Sequence, residues 1–170
     1  MKTIMVLDAN NYTDDMPVFE KYAVRGIIVR NGMIAMQKSG FGYFKFLGGG
    51  VDSGENYEDA LVREVQEESG LVVKKDTIRL IGEVVEMRED LYEKGKKFVC
   101  HSIYYFCDVE SYMKETNMTA SEIRDGYHLS WATPEHILSE NARLSDNPWV
   151  DRDTRVLQML VNGELKGFSL

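Results

Sequence analysis

The chain has 170 residues, 44% of them hydrophobic and 28% charged, a balance that suits one domain with a sizeable core and leaves little for a second. A formal net charge of −8 argues against loose, sequence-independent binding to nucleic acid or to a membrane surface, so an anionic ligand would need a local concentration of cations. The first residues, MKTIMVLDANN, carry one lysine and a short apolar run that meets Asp8; this is neither a signal peptide nor a membrane span, and a cytoplasmic protein is expected.

In chain order, the first structural signal is Asn31-Gly32 between YAVRGIIVR and MIAMQK, a dipeptide that predicts a β-hairpin opening the domain. Three glycines, Gly48 to Gly50, precede a helix expected from about Asn56 to Ser69 and closed at Gly70. TIRLIGEVVEM and KKFVCHSIYYFCDV read as two strands joined by a polar segment containing Lys94-Gly95, and YHLSWAT as a further short strand. Thr133-Pro134 starts a helix over PEHILSE, and RDTRVLQMLVNG, ended by Gly163, is the last helix. No repeat, low-complexity tract or linker interrupts this mixture, which places the chain in the α/β class as a single domain. Cys100 and Cys107 fall in one strand at an odd separation and so face opposite sides, which excludes a disulfide between them. Without a CxxC, and with only three scattered histidines, any metal would be bound by oxygen.

The glycine-flanked helix gathers like charges at Glu64, Glu67 and Glu68. On a helical wheel at about 100° per residue with Ala60 as origin, Leu61, Val65 and Val62 define the apolar arc, and Glu64 at about 40° and Glu68 at about 80° lie inside its edge. A solvated acidic face would tolerate the roughly 0.2–0.5 kcal/mol that each exposed like-charge pair costs, but partly buried carboxylates cost several times more without a cation. Carboxylate oxygens suit Mg²⁺ or Mn²⁺, which leave coordination positions for water and substrate phosphate, and Arg63 offers a rigid fork to hold the neighbouring carboxylates.

Gly49, Glu55, Arg63, Glu64, Val65, Glu67, Glu68, Gly70 and Leu71 fit every position of G-x5-E-x7-R-E-U-x-E-E-x-G-U, with U apolar. The stretch resembles the box of the Nudix hydrolases, and the likeness extends from about Tyr22 to Leu160. It implies an α/β/α sandwich around a mixed β-sheet, and metal-dependent hydrolysis of a nucleoside diphosphate linked to another group. It further implies that Glu64, Glu67 and Glu68, joined by the Gly48 carbonyl, bind the metal, that Glu55 and Arg63 brace loop and helix, and that Glu64, Glu67 or Glu122 takes the proton from water. Leu47 stands where many members have proline, which makes the loop less rigid but removes no ligand.

Substrate contacts are expected from the flanking strands. Arg25 shares a strand face with Ala23, Ile27 and Val29, and serves either as half of a buried structural pair or as a contact to substrate phosphate or carboxylate. Tyr104 and Tyr105 lie on opposite faces of one strand, and either could stack on a base or simply fill the core. Glu122 is equally compatible with a surface role. Within the family it resembles, subgroups that cleave ADP-ribose often carry a proline shortly past the box; this chain has none between Pro17 and Pro134, which counts against ADP-ribose as substrate, and the family's coenzyme-A signature does not precede the box. Pyrophosphate release from a free or oxidised nucleoside triphosphate is the main alternative activity. A non-catalytic nucleotide sensor and an acidic interaction domain are weaker ones. A small-molecule nucleotide is the expected partner, and the sequence leaves a homodimer open.

Overall fold

The structure, a computed structural model, describes residues 1–144 and 146–170. Its first half comprises β1 (Thr3–Asp8), β2 (Val18–Ile27), β3 (Val29–Arg30), β4 (Met33–Lys38), β5 (Phe44–Phe46), α1 (Tyr57–Ser69) and β6 (Leu71–Val73). The second half comprises β7 (Arg79–Glu89), β8 (Lys97–Phe106), β9 (Val109–Met113), α2 (Ala120–Arg124), β10 (His128–Ala132), α3 (Pro134–Asn141) and α4 (Pro148–Val161). The larger sheet has the order β1-β7-β8-β2 and is mixed: β1 runs parallel to β7 and β2 parallel to β8, while β7 and β8 are antiparallel. An antiparallel sheet, β10-β4-β3 with β5 against β4, lies beside it, and β6 pairs with β9.

Helices cover opposite sides. Leu61 and Val65 of α1 pack with Val24, Leu47 and Ile103 in one cluster, while Ile137 of α3 and Val156 and Leu157 of α4 pack with Phe46 and Tyr104 in another. This is the α/β/α sandwich that the resemblance implies. No helix among the described residues is long and apolar enough to cross a membrane.

The Asn31-Gly32 turn forms, with both residues at positive φ, but its hairpin is shorter than the apolar segments suggest. Only Val29–Arg30 pairs with β4. The preceding run starts earlier, at Val18, and leaves for the larger sheet, where it pairs with β8 over its whole length. Apolar alternation fixes which face of a strand is buried but not which neighbour it pairs with, so one apolar run could serve two sheets. The last helix begins at Pro148 rather than Arg152, because Asn147 caps it by accepting the Trp149 N–H at 3.2 Å and Pro148 occupies its first turn.

Candidate active site

Helix α1 is defined at both ends by its own sequence. Asn56 caps it, its side chain accepting the Asp59 N–H at 2.9 Å, and Gly70 closes it in the left-handed region at φ 76°. A Cβ at Gly70 would also lie 2.5 Å from the Lys114 carbonyl oxygen, so no larger residue fits.

The glycine loop runs beside β2, tied by Gly26 N–H to Leu47 O at 2.8 Å and Val24 N–H to Gly49 O at 2.9 Å. Leu47 is fully buried against α1 and anchors the loop through its apolar side chain. Gly48 has φ 134°, and a Cβ there would lie 2.1 Å from Val24 O; one at Gly49 would lie 2.2 Å from a Glu64 carboxylate oxygen. The two glycines therefore let β2 and the α1 carboxylates close on the loop from both sides.

Arg63 ties these parts together. It grips Glu55 with two parallel bonds of 2.9 and 2.8 Å, donates to Gly50 O at 3.0 Å, and reaches Glu64 at 2.7 Å and Glu67 at 3.3 Å. The bond from Arg63 holds the Glu55 carboxyl below its usual range, and Glu55 above all holds the guanidinium firmly charged. Burial raises the Glu64 carboxyl despite the opposing charge of Arg63. Arg63→Ala would leave Glu55, Glu64 and Glu67 without their shared donor and free the loop from the helix. It is expected to cost roughly 2 kcal/mol of stability, as melting followed by circular dichroism in chelator would show.

Glu68 is the most buried of the three helix carboxylates, with 3% of its surface exposed. It accepts the Gly48 N–H at 2.7 Å and pairs with Lys45 at 3.2 Å, yet burial pushes its carboxyl up to about 7. Among the described residues Arg25 makes no carboxylate pair; its guanidinium donates to the Gly48 carbonyl, the oxygen expected to join a metal. Lys45 and Arg25 thus compensate the acidic helix from the β5 and β2 side.

Among the described residues no three His, Cys, Asp or Glu side chains converge closely enough to ligate one ion as they stand. The carboxylates of Glu64 and Glu67 face Arg63, and that of Glu68 faces Lys45. The donors nevertheless fit a hard divalent cation by their chemistry. Glu64 and Glu68 lie against the Gly48–Gly49 step, Glu67 is one turn from Glu64 on the same helix, and all donors are oxygen.

The remaining expected site residues separate. Tyr104 is fully buried, its hydroxyl donating to Asp153 at 2.6 Å and its ring edge-on to Phe46, so it offers no face to a base. Tyr105 is buried in the opposite cluster beneath α1, where burial first, and Glu58 second, pushes its phenol up to about 12. Glu122 closes a capping box at the start of α2, accepting from Thr119 N–H and Oγ1 at 2.8 Å each, while its charge acts on Glu68 and raises it.

The structure adds a cavity of about 510 Å³ that the sequence did not reveal. It opens beside the glycine loop, with Arg25 and Lys45 in its wall, and runs along the larger sheet toward Phe19 and Phe98. Lys21, Arg25, Lys45, Arg88 and Arg152 line it against only Glu86 and Asp90. In a chain of net charge −8, this is the local concentration of cations that an anionic ligand requires.

A buried polar cluster in α4 supports both cavity and loop. Asp153 accepts from Tyr104 at 2.6 Å, from Arg152 Nε at 2.8 Å and from the Phe46 N–H at 2.9 Å; Asn141 of α3 binds both backbone groups of Phe44. Strand β5, which carries Lys45 and leads into the glycine loop, is therefore held from the helix side. The signal was present in the sequence: with Val156 as origin, Asp153 falls at about 60° on the wheel, between Val156 and Leu157 on the apolar face.

An acidic helix braced by an arginine to a glycine loop, in a sandwich around mixed sheets and beside a cationic cavity, makes up the candidate site and is the arrangement expected of the family that the sequence resembles. The NUDIX domain model matches residues 20–153, and the chain belongs to that family. It is 34% identical over 98 residues to the nucleoside triphosphatase NudI of Escherichia fergusonii, a match covering 56% of this chain and 65% of that protein. With the NudI protein of an Escherichia coli strain it shares 32% over 99 residues, covering 57% of this chain and 66% of that one. The chain thus spans just under two thirds of the length of these relatives. Its fold is similar to a NUDIX hydrolase from Nitrosomonas europaea, with a TM-score of 0.55 at 17% identity over 73% of this chain and 79% of that one. A MutT protein from Bacillus halodurans gives the same score and identity over 88% and 85%.

Proposed function

We propose that this protein is a divalent-metal-dependent hydrolase that cleaves the phosphoanhydride of a nucleoside 5′-triphosphate to a monophosphate and pyrophosphate. The observation that carries this reading is the cationic cavity that shares Arg25 and Lys45 with the carboxylate site: it has room for one nucleoside, with the phosphates lying toward Gly48. The similarity to relatives named nucleoside triphosphatases supports the same choice.

Mg²⁺ or Mn²⁺, held by Glu64, Glu67, Glu68 and the Gly48 carbonyl, would supply charge neutralisation and acidify the attacking water. The chain's own residues do the rest. Arg25 and Lys45 meet phosphate oxygens at the cavity mouth, and Arg63 keeps Glu64 and Glu67 oriented. Glu67, the most open of the three carboxylates and bonded only at 3.3 Å, accepts the proton. Glu122 acts through its charge on Glu68.

A second reading, a nucleoside diphosphate linked to another group, draws on the exposure of the box: Glu67 and Arg63 are partly exposed and do not line the cavity, which leaves their surface available to a group beyond the diphosphate. Product analysis separates the two. With Mg²⁺, triphosphates are expected to yield monophosphate and pyrophosphate faster than any dinucleotide or nucleotide sugar is cleaved; the reverse order would establish the second reading. Activity should vanish in excess EDTA and return with Mg²⁺ or Mn²⁺, and full turnover in EDTA would sink the metal-dependent mechanism. Millimolar Mg²⁺ should also raise the melting temperature, because an ion that binds only the folded state shifts unfolding by mass action.

A further inference from the structure

Two claims on Lys45 exclude one another. Its Nζ pairs with Glu68 Oε1 at 3.2 Å, and its side chain lines the cavity beside Arg25, where the phosphate oxygens are to lie. Once Glu68 turns to a divalent ion, that pair is lost. A lysine left without a partner regains the freedom of its four-carbon stem, and bringing it to a phosphate then costs the entropy of ordering it. Glu122, whose charge reaches Glu68, is no replacement, because its carboxylate is committed to Thr119 N–H and Oγ1 at 2.8 Å each.

The replacement is an aromatic face. Lys45 Nζ also lies over the Tyr127 ring, 4.8 Å from its centroid, and Tyr127 lines the same cavity. The ring is held at both ends. Its hydroxyl is bonded to that of Tyr43, a buried residue that accepts the Trp149 Nε1–H at 3.4 Å. Its backbone N–H donates to Glu122 O at 3.0 Å, and the nearby Asp125 carbonyl accepts the Gly40 N–H at 2.9 Å from the turn between β4 and β5. A Cβ at Gly40 would lie 2.9 Å from that same oxygen, so glycine lets the turn close on the segment that carries Tyr127. Burial first, and the bond to Tyr43 second, push the Tyr127 phenol above its ordinary 10, so the ring stays neutral.

We propose that Tyr127 is a positioning residue: its ring holds the Lys45 ammonium at the cavity wall after Glu68 turns to a divalent ion, so that Lys45 passes from carboxylate to substrate phosphate without leaving the site. An ammonium carries several N–H donors, and contact with a ring face leaves others for a phosphate oxygen. Such a contact shifts an equilibrium by roughly two- to thirtyfold, according to how far water is excluded. This inference rests on the metal-dependent hydrolase reading for the ion at Glu68 and for the position of the phosphates.

Nuclear magnetic resonance on the whole chain tests it without turnover. In EDTA the Lys45 ε-methylene protons should lie upfield of those of the exposed lysines, shifted by the Tyr127 ring current. They should remain upfield when millimolar Mg²⁺ moves the Gly48 amide resonance. Lys45 protons at the position of the exposed lysines, in either condition, would overturn the proposal, and the moved Gly48 amide would leave the metal reading intact. A Gly48 amide that Mg²⁺ does not move would sink the metal reading and the inference with it. Kinetics supply a second arm, with whichever of ATP, GTP, CTP and UTP is cleaved fastest. Tyr127→Leu should raise KM about fivefold while kcat falls less than about twofold, and Tyr127→Phe, which keeps the ring, should restore KM. In a Lys45→Met background Tyr127→Leu should raise KM no further; a rise of the same size there would mean that the ring acts through packing and would overturn the proposal. The resonance arm needs no variant, so it decides the question even if one of them fails to fold.

Discussion

Glu68→Gln is expected to lower kcat at least a hundredfold while raising the melting temperature of the metal-free protein at pH 8. The two effects have one origin. Glu68 is nearly fully buried between Lys45 and the Gly48 N–H, and burial pushes its carboxyl from the ordinary 4.5 up to about 7. Between those values the folded state binds more proton than the unfolded one, so the metal-free protein loses stability as pH rises from 4.5 through 7. The interval corresponds to a cost on the order of 3 kcal/mol for holding the carboxylate ionised at pH 8. Glutamine keeps an acceptor for Gly48 N–H without that cost, offset in part by the lost Lys45 pair, so a gain of a few degrees in EDTA is expected. A divalent ion reverses the comparison, because it needs the charge. Wild type should gain stability on adding Mg²⁺ and the variant far less. Near-normal turnover of Glu68→Gln at limiting Mg²⁺ would reassign the cluster as structural.

That cost was legible in the sequence because a helix has one period. At about 100° per residue, a carboxylate among Leu61 and Val65 must be buried, and the spacing of glycines and glutamates around it is fixed by chain geometry alone. The brace from Arg63 to Glu55 was legible for the same reason, since both ends lie on one continuous loop and helix. Strands are less explicit. Arg25 was expected either in a buried structural pair or against the substrate; the structure adds a bond to the Gly48 carbonyl, which the strand pattern did not announce because which loop runs beside β2 depends on long-range pairing that alternation does not encode. Tyr104 was a candidate stacking ring because the wheel of α4 places Asp153 on a buried face but does not say which distant hydroxyl it will accept from. The cavity draws residues from β2, β5, β7, β8 and α4, and no short window of the sequence contains them together.

Asp153→Ala is expected to cost 3–5 kcal/mol, about the penalty of removing one partner from a buried ion pair, and to weaken catalysis through Lys45 and the glycine loop. Asp153 is 1% exposed, and its loss strands two buried donors, the Tyr104 hydroxyl and the Phe46 N–H, takes the charge from beside Arg152 and leaves Arg152 Nε only the Tyr104 oxygen. Burial works to raise its carboxyl, but the charges of Arg152 and Arg25 and the bonds from Arg152 and Tyr104 outweigh it and hold the value below 3.8. Its contribution is therefore present above the unfolded value of about 4 and is lost as pH falls through the lower folded value, so the difference between wild type and variant should be full at pH 7. Asp153→Asn separates charge from shape. Asparagine can still accept the Phe46 N–H and hold β5, so it should lose stability through Arg152 yet retain more kcat than alanine, compared well below both melting temperatures. Equal kcat in the two variants would show that Phe46 does not transmit the position of α4 to Lys45. An alanine variant melting within a degree of wild type at pH 7 would mean that Arg152 finds Glu86 as a sufficient partner, 3.8 Å away at present.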